Sequence, residues 1–140
     1  MKELYKFASK LDSHSLASLS LRLAVGAVFI NSGWIKVSDT QMVVEYFGQI
    51  GFPGFLAYLV SYSELFGGIL VLIGLFTRYA SAVLAIIMLV ASIVLSSKGF
   101  SLANGGYEYT FVLMYASLAL VALGSGKYSL ENFYCIKCKK

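Results

Sequence analysis

Charge and proline are scarce in this chain, and each scarcity excludes something. Only 13% of the 140 residues are charged, and one is proline. A soluble domain carries a charged fraction near a quarter. With 59% hydrophobic residues and a mean hydropathy of +0.78, the chain reads as a membrane protein. Its length leaves no room for a soluble catalytic module beside the membrane part, so one membrane domain over 1–140 is expected. Cysteine is limited to Cys135 and Cys138, which excludes a disulfide scaffold. Histidine occurs once, as His14, and no nucleophile triad, phosphate loop or metal cluster is apparent. The net charge of +4 is modest, and in so apolar a chain it points to membrane orientation and anionic headgroups rather than to nucleic acid.

What is present is a set of long apolar runs with a few charges inside them. The stretch from Phe55 to Arg78 carries Glu64 well inside, followed by Gly67 and Gly68. A carboxylate at such depth costs a few kcal/mol or more unless it faces protein, water or a partner charge. Glycines allow a second helix to approach closely enough to supply one. We expect four spans, near 16–37, 55–76, 79–97 and 108–124, followed by a basic cytoplasmic tail over 125–140. The expected fold is all-α, an antiparallel four-helix transmembrane bundle with a short interfacial helix between spans one and two.

In span one, Arg22, Gly26, Phe29, Gly33 and Lys36 recur at spacings of four and three, so they share a helical face. Ahead of it, Met1 to Ser15 reads as an interfacial arm with Lys2, Lys6 and Lys10. The N-terminal region has a basic start like a secretory signal, yet its apolar run continues to Val37, so we read it as an uncleaved first span. Between spans one and two, Val43, Tyr46, Phe47 and Ile50 form an apolar stripe opposite Gln41, Glu45 and Gln49. This predicts a short amphipathic helix lying on the membrane, ended by Gly51 and Pro53. Lysine and arginine concentrate on the side shared by the two ends of a four-span chain, so both termini are expected in the cytoplasm of a multi-pass plasma-membrane protein. Trp34, Phe52, Tyr58, Tyr107 and Tyr109 would form the outer aromatic belt, and Tyr79, Tyr128 and Phe133 the inner one.

Three motifs resemble the DoxX family of small four-span membrane proteins. LRLAVGAVFINSGWIKV is similar to the family's opening, SELFGGILVLIGLFTR to its second-span signature, and GSGKYSLEN to its closing motif. The resemblance covers nearly the whole chain from Leu16 to Asn132. Glu131 stands where aspartate is usual and Ser125 where proline is often found, and the Cys-x-x-Cys end is an addition. The family takes its name from a subunit of an archaeal thiosulfate:quinone oxidoreductase, and other members are linked to complexes handling thiol and oxidative stress. The resemblance therefore implies an integral subunit of a quinone-linked redox or stress complex, which anchors a partner protein or assembles with itself, with quinone as the small molecule. A membrane chaperone or scaffold and a small proton-linked transporter are the alternatives.

The candidate site residues are Arg22, Asn31, Lys36, Glu64 and Glu108, with Glu64 and Arg22 as candidates for chemistry. Counted along the spans, Arg22 lies about 9 Å and Glu64 about 17 Å from the inner ends of their helices. A tilted arginine side chain covers the difference of about 8 Å, so Arg22 is the expected partner of Glu64. Lys36 and Glu108 both sit near the outer boundary, where they could pair with each other. Such a set either lines a polar pocket able to bind a quinone carbonyl or carry a proton, or forms a buried ion pair that fixes helix register. Gly26, Gly33, Gly67, Gly68 and Gly74 are the candidate helix-packing positions. Tyr62 and Tyr115 are candidates for stacking on a ring, against a bland packing role. Cys135 and Cys138 are a weak candidate for half of a metal site, against a tail with two reduced thiols.

Overall fold

A computed structural model describes residues 13–138, with side chains described to Tyr134. The expected interfacial arm falls largely outside the described residues, as do the side chains of Cys135 and Cys138. Every described element is helical: α1 (Ser13–Ser38), α2 (Thr40–Gln49), α3 (Gly54–Ile73), α4 (Thr77–Leu95), α5 (Glu108–Leu123) and α6 (Leu130–Cys138). Short 3-10 turns follow α4 at Ser96–Lys98 and precede α5 at Leu102–Asn104. Three helices, α1, α3 and α4 with its 3-10 extension, are long and apolar enough to cross a membrane. The apolar α5 has 16 residues, about 24 Å at 1.5 Å per residue.

The helix limits follow from local chemistry. The Asp39 side chain accepts from the Met42 amide at 3.3 Å and caps α2 one residue after α1 ends. The second helix stops at Gly51, where φ is +82°, and Pro53 holds the extended backbone before α3. Gly74, at φ +76°, ends α3 in a Schellman arrangement. Its amide donates to the Val71 carbonyl at 3.2 Å, and the Leu75 amide to the Leu70 carbonyl at 3.0 Å. This stop falls before Phe76, where the second span was expected to end.

Helix α1 packs chiefly on α3, and α4 on α5. The α1–α3 crossing is close enough to exclude side chains. A Cβ on Gly33 would lie 2.5 Å from the Leu65 amide nitrogen, and one on Gly68 would lie 2.8 Å from that of Ile30. Gly26 faces Leu72 in the same way. Gly67, expected on this seam, turns instead to Leu84 of α4. The core between the helices holds Val25, Phe29, Val71, Leu84, Met88 and Leu120.

That seam also sets the antiparallel register. Each step along α1 is a step back along α3, with Gly33 against Leu65, Ile30 against Gly68 and Gly26 against Leu72. Glu64 therefore comes level with Trp34, between Ser32 and Lys36. Arg22 lies about twelve residues, or about 18 Å, further along the axis.

Candidate functional site

The register decides the charge pairing, and it is not the pairing expected. The Lys36 ammonium donates to both Glu64 oxygens, at 2.7 Å to Oε1 and 2.6 Å to Oε2. The Ser32 hydroxyl adds a third bond, at 3.0 Å to Oε2. Ser32 and Lys36 are one turn apart on α1, so one helical face supplies both donors. Glu64 is fully buried, while the Lys36 side chain keeps 30% exposure. A carboxylate this deep is tolerable only when its lone pairs are occupied, and three donor contacts meet that need.

Arg22 is correspondingly not the partner of Glu64. It is 2% exposed, and all four of its hydrogen bonds go to backbone carbonyls. Its Nε donates to the Val71 carbonyl and its Nη2 to that of Leu72, each at 2.9 Å. Its Nη1 donates at 2.8 Å to the carbonyls of Ser125 and Tyr128. The first two are carbonyls of the last turn of α3, that of Val71 shared with the Gly74 amide, and a cation there also complements the helix dipole. Arg22 thus ties the end of α3 to the segment that leads into α6. The Glu131 amide donates to the Gly74 carbonyl at 3.2 Å, and the Ser18 hydroxyl to that of Gly124 at 2.6 Å, closing the same end.

Lys36 and Glu108, which could have paired at the outer boundary, do not: Lys36 is on Glu64. Glu108 instead accepts from the Leu102 amide at 3.1 Å and closes the glycine-rich loop before α5. Asn31 is exposed on α1 and does not line the cavity described next. Tyr62 and Tyr115 are 45% and 55% exposed and lie off it too. Arg22 lies at the other end of α1 from Lys36.

Beside the ion pair lies a cavity of about 630 Å³. From α1 it takes Phe29, Ser32 and Lys36, and from α3 Leu56, Val60 and Glu64. The amphipathic α2, expected to lie on the membrane, turns its apolar stripe over the cavity through Val43, Tyr46, Phe47 and Ile50. Helix α4 supplies a wall including Ile86, Met88 and Val90, and α5 supplies Tyr109, Thr110 and Leu113. The lining is apolar except for a few groups, chiefly Lys36, Glu64, Ser32, Thr110 and the phenols of Tyr46 and Tyr109. Thr110 is engaged with Ser92, their hydroxyl oxygens 2.8 Å apart. Tyr109, assigned from sequence to the outer belt, is the functional candidate that sequence reasoning missed. Only its place one residue into an apolar helix, beside Glu108, hinted at an inward position.

This is a membrane protein whose buried ion pair opens onto an apolar cavity between helices, and the comparisons specify which kind. The chain belongs to the DoxX family, whose model matches residues 17–97. It is similar to the provisionally named oxidoreductase CatD of Bacillus subtilis (strain 168), with 32% identity over 121 residues, 86% of this chain and 89% of that relative. It is also similar to the inner membrane protein YqjF of Escherichia coli (strain K12), with 28% identity over 118 residues, 81% of this chain and 88% of that protein. No solved structure matches the chain at a significant level.

Proposed function

We propose that this chain is an integral subunit of a quinone-linked redox complex, and that the cavity beside Lys36 and Glu64 receives the quinone ring. In this reading α1, α3, α4 and α5 form a four-helix bundle across the plasma membrane, both termini are cytoplasmic, and a partner protein or a second copy completes the electron route. Family membership and the oxidoreductase name of one relative support the redox class.

The observation that carries the reading is that the ion pair is not sealed. A pair that served only to fix register would be closed over by packing, whereas Lys36 lines a cavity large enough for a ring. Intramembrane ionisable groups are functional candidates by default. The cavity residues fit a quinone: an apolar body contacts Phe29, Val60 and Met88, and a polar edge meets Lys36. Two cavity-lining residues of α4, Ile86 and Val90, are 61% and 43% exposed on the outward face. A lipid-soluble molecule therefore has a sideways route from the bilayer. When bound, a quinone supplies electron and proton transfer in the lipid phase. The chain's own part is to hold the ring: Glu64 and Ser32 fix the Lys36 ammonium, Lys36 meets the polar edge, and α2 covers the site.

The test is to purify the chain with its native lipids and quantify extracted quinone against protein. Near-stoichiometric quinone is expected, and its loss in the doubly substituted Lys36→Met, Glu64→Gln variant, which removes the charges but keeps the volume. A stoichiometric protein partner with no quinone overturns this reading in favour of a membrane scaffold. A reporter fused after Lys140 is expected to behave as cytoplasmic.

A further inference from the structure

The outward face of α3 is a continuous apolar stripe. Phe55, Leu59, Tyr62, Phe66, Ile69 and Ile73 recur at spacings of four and three, and all six are exposed. The buried face of the same helix carries the small residues Ala57, Ser61 and Gly68. Helices associate inside a membrane through small residues that let backbones approach, so the bulky stripe suits acyl chains rather than another helix. At its foot lies a groove of about 430 Å³, where Ile73 meets Lys127, Leu130, Asn132 and Phe133. Hydrogen bonds build this groove into the fold. Arg22 holds the Ser125 and Tyr128 carbonyls, and the Glu131 amide donates to the Gly74 carbonyl at 3.2 Å. The Asn132 amide donates to the Ser129 hydroxyl at 3.2 Å, and the Asn132 side chain to the Lys127 carbonyl at 3.0 Å. Both walls are thus fixed relative to the last turn of α3. Phe133 is exposed although apolar, and the segment over 125–140 carries four lysines against one glutamate.

We propose that this groove binds the headgroup end of one anionic phospholipid, with its phosphate at Lys127 and an acyl chain running up α3 along Ile73, Ile69 and Phe66. Ile73 is the last residue of α3. Apolar surface therefore gives way to polar surface within one turn, as it does between the acyl chains and headgroups of a leaflet. A lysine lays its stem along apolar surface while its ammonium meets the phosphate. Basic residues just beyond a span attract anionic headgroups, and the same lysines repel the cation of a zwitterionic one. The lipid would touch α3 and the start of α6 together, so its binding stabilises the folded chain by mass action. The groove lies at the Arg22 end of the bundle, away from Lys36, and its occupant is independent of what the cavity binds.

The experiment uses the full chain, delipidated in mild detergent, with dioleoyl phosphatidylglycerol or dioleoyl phosphatidylcholine as the probe. Native mass spectrometry counts the lipids retained per chain, and thermal unfolding is followed in parallel. One phosphatidylglycerol per chain is expected to be retained, severalfold more than phosphatidylcholine, and to raise the Tm. Lys127→Gln and Phe133→Ser change exposed side chains, so both variants are expected to keep the lipid-free thermal transition. Each is expected to lower phosphatidylglycerol retention severalfold. Lys98→Gln removes an exposed lysine beyond α4, at the other end of the bundle, and is expected to leave retention unchanged. Equal retention of the two lipids, or retention that both groove variants leave intact, overturns the proposal. A stable dimer that Phe66→Ala dissociates, formed in place of the lipid complex, overturns it too, because a second copy then covers the stripe.

Discussion

Gly33 lies against the backbone of Leu65, so that a single added carbon would meet the Leu65 nitrogen at 2.5 Å and its Cα at 2.7 Å. Backbone cannot step aside as the end of a side chain can, so this contact fixes how α1 and α3 cross. Gly33→Ala is expected to force the helices apart and cost about 1–3 kcal/mol, read as a lowered Tm in detergent. Gly48, on the exposed side of α2, is the control, because a Cβ added there would meet nothing within 4 Å. Gly48→Ala is expected to be neutral or slightly stabilising, because alanine favours the helix.

The Lys36–Glu64 pair is expected to behave as a unit. Removing Lys36 alone strands a fully buried carboxylate, and breaking such a pair costs about 3–5 kcal/mol in soluble proteins, with smaller couplings inside membranes. Lys36→Met and Glu64→Gln are each expected to lower the Tm, and the double variant to lower it by less than their sum. A double-mutant cycle for Arg22 and Glu64 is expected to be additive, since they share no contact. Strong coupling between Arg22 and Glu64 would contradict the register.

Arg22→Lys is expected to be a damaging change despite its kept charge. Arginine spends its donors on four carbonyls from two segments, and a lysine has only three to offer. The link between α3 and the start of α6 would loosen. Trypsin cleavage after Lys127 is expected to accelerate in the variant, with the cavity's ligand binding little changed.

Buried hydroxyls are expected to divide by whether they have a partner. The Ser18 hydroxyl donates to the Gly124 carbonyl, so Ser18→Ala should lower stability by about 1 kcal/mol. The Ser117 hydroxyl is fully buried and has no partner among the described residues. Ser117→Ala is expected to be neutral or to raise the Tm, because it removes an unpaired polar group from the interior.

The sequence by itself determined the membrane character, the helical class and the family, because these rest on composition, apolar run length and local motifs. Helix limits were legible to within a few residues for the same reason: Pro53 and Gly124 act on the backbone where they stand, whereas Gly74 was read as a packing position and the stop it makes was expected at Phe76. The identity of the charged residues in the spans was equally plain. Their partners were not, because pairing depends on the axial offset between two helices, and no spacing along one helix encodes that. Aligning span ends placed Arg22 within reach of Glu64, whereas the contacts of Gly33 and Gly68 slide α1 along α3 until Lys36 arrives there. The inward turn of Tyr109 and the covering position of α2 were decided at the same level. An amphipathic face shows that a helix lies at a boundary, and only the packing of the other helices determines whether that boundary is a lipid surface or the mouth of a cavity.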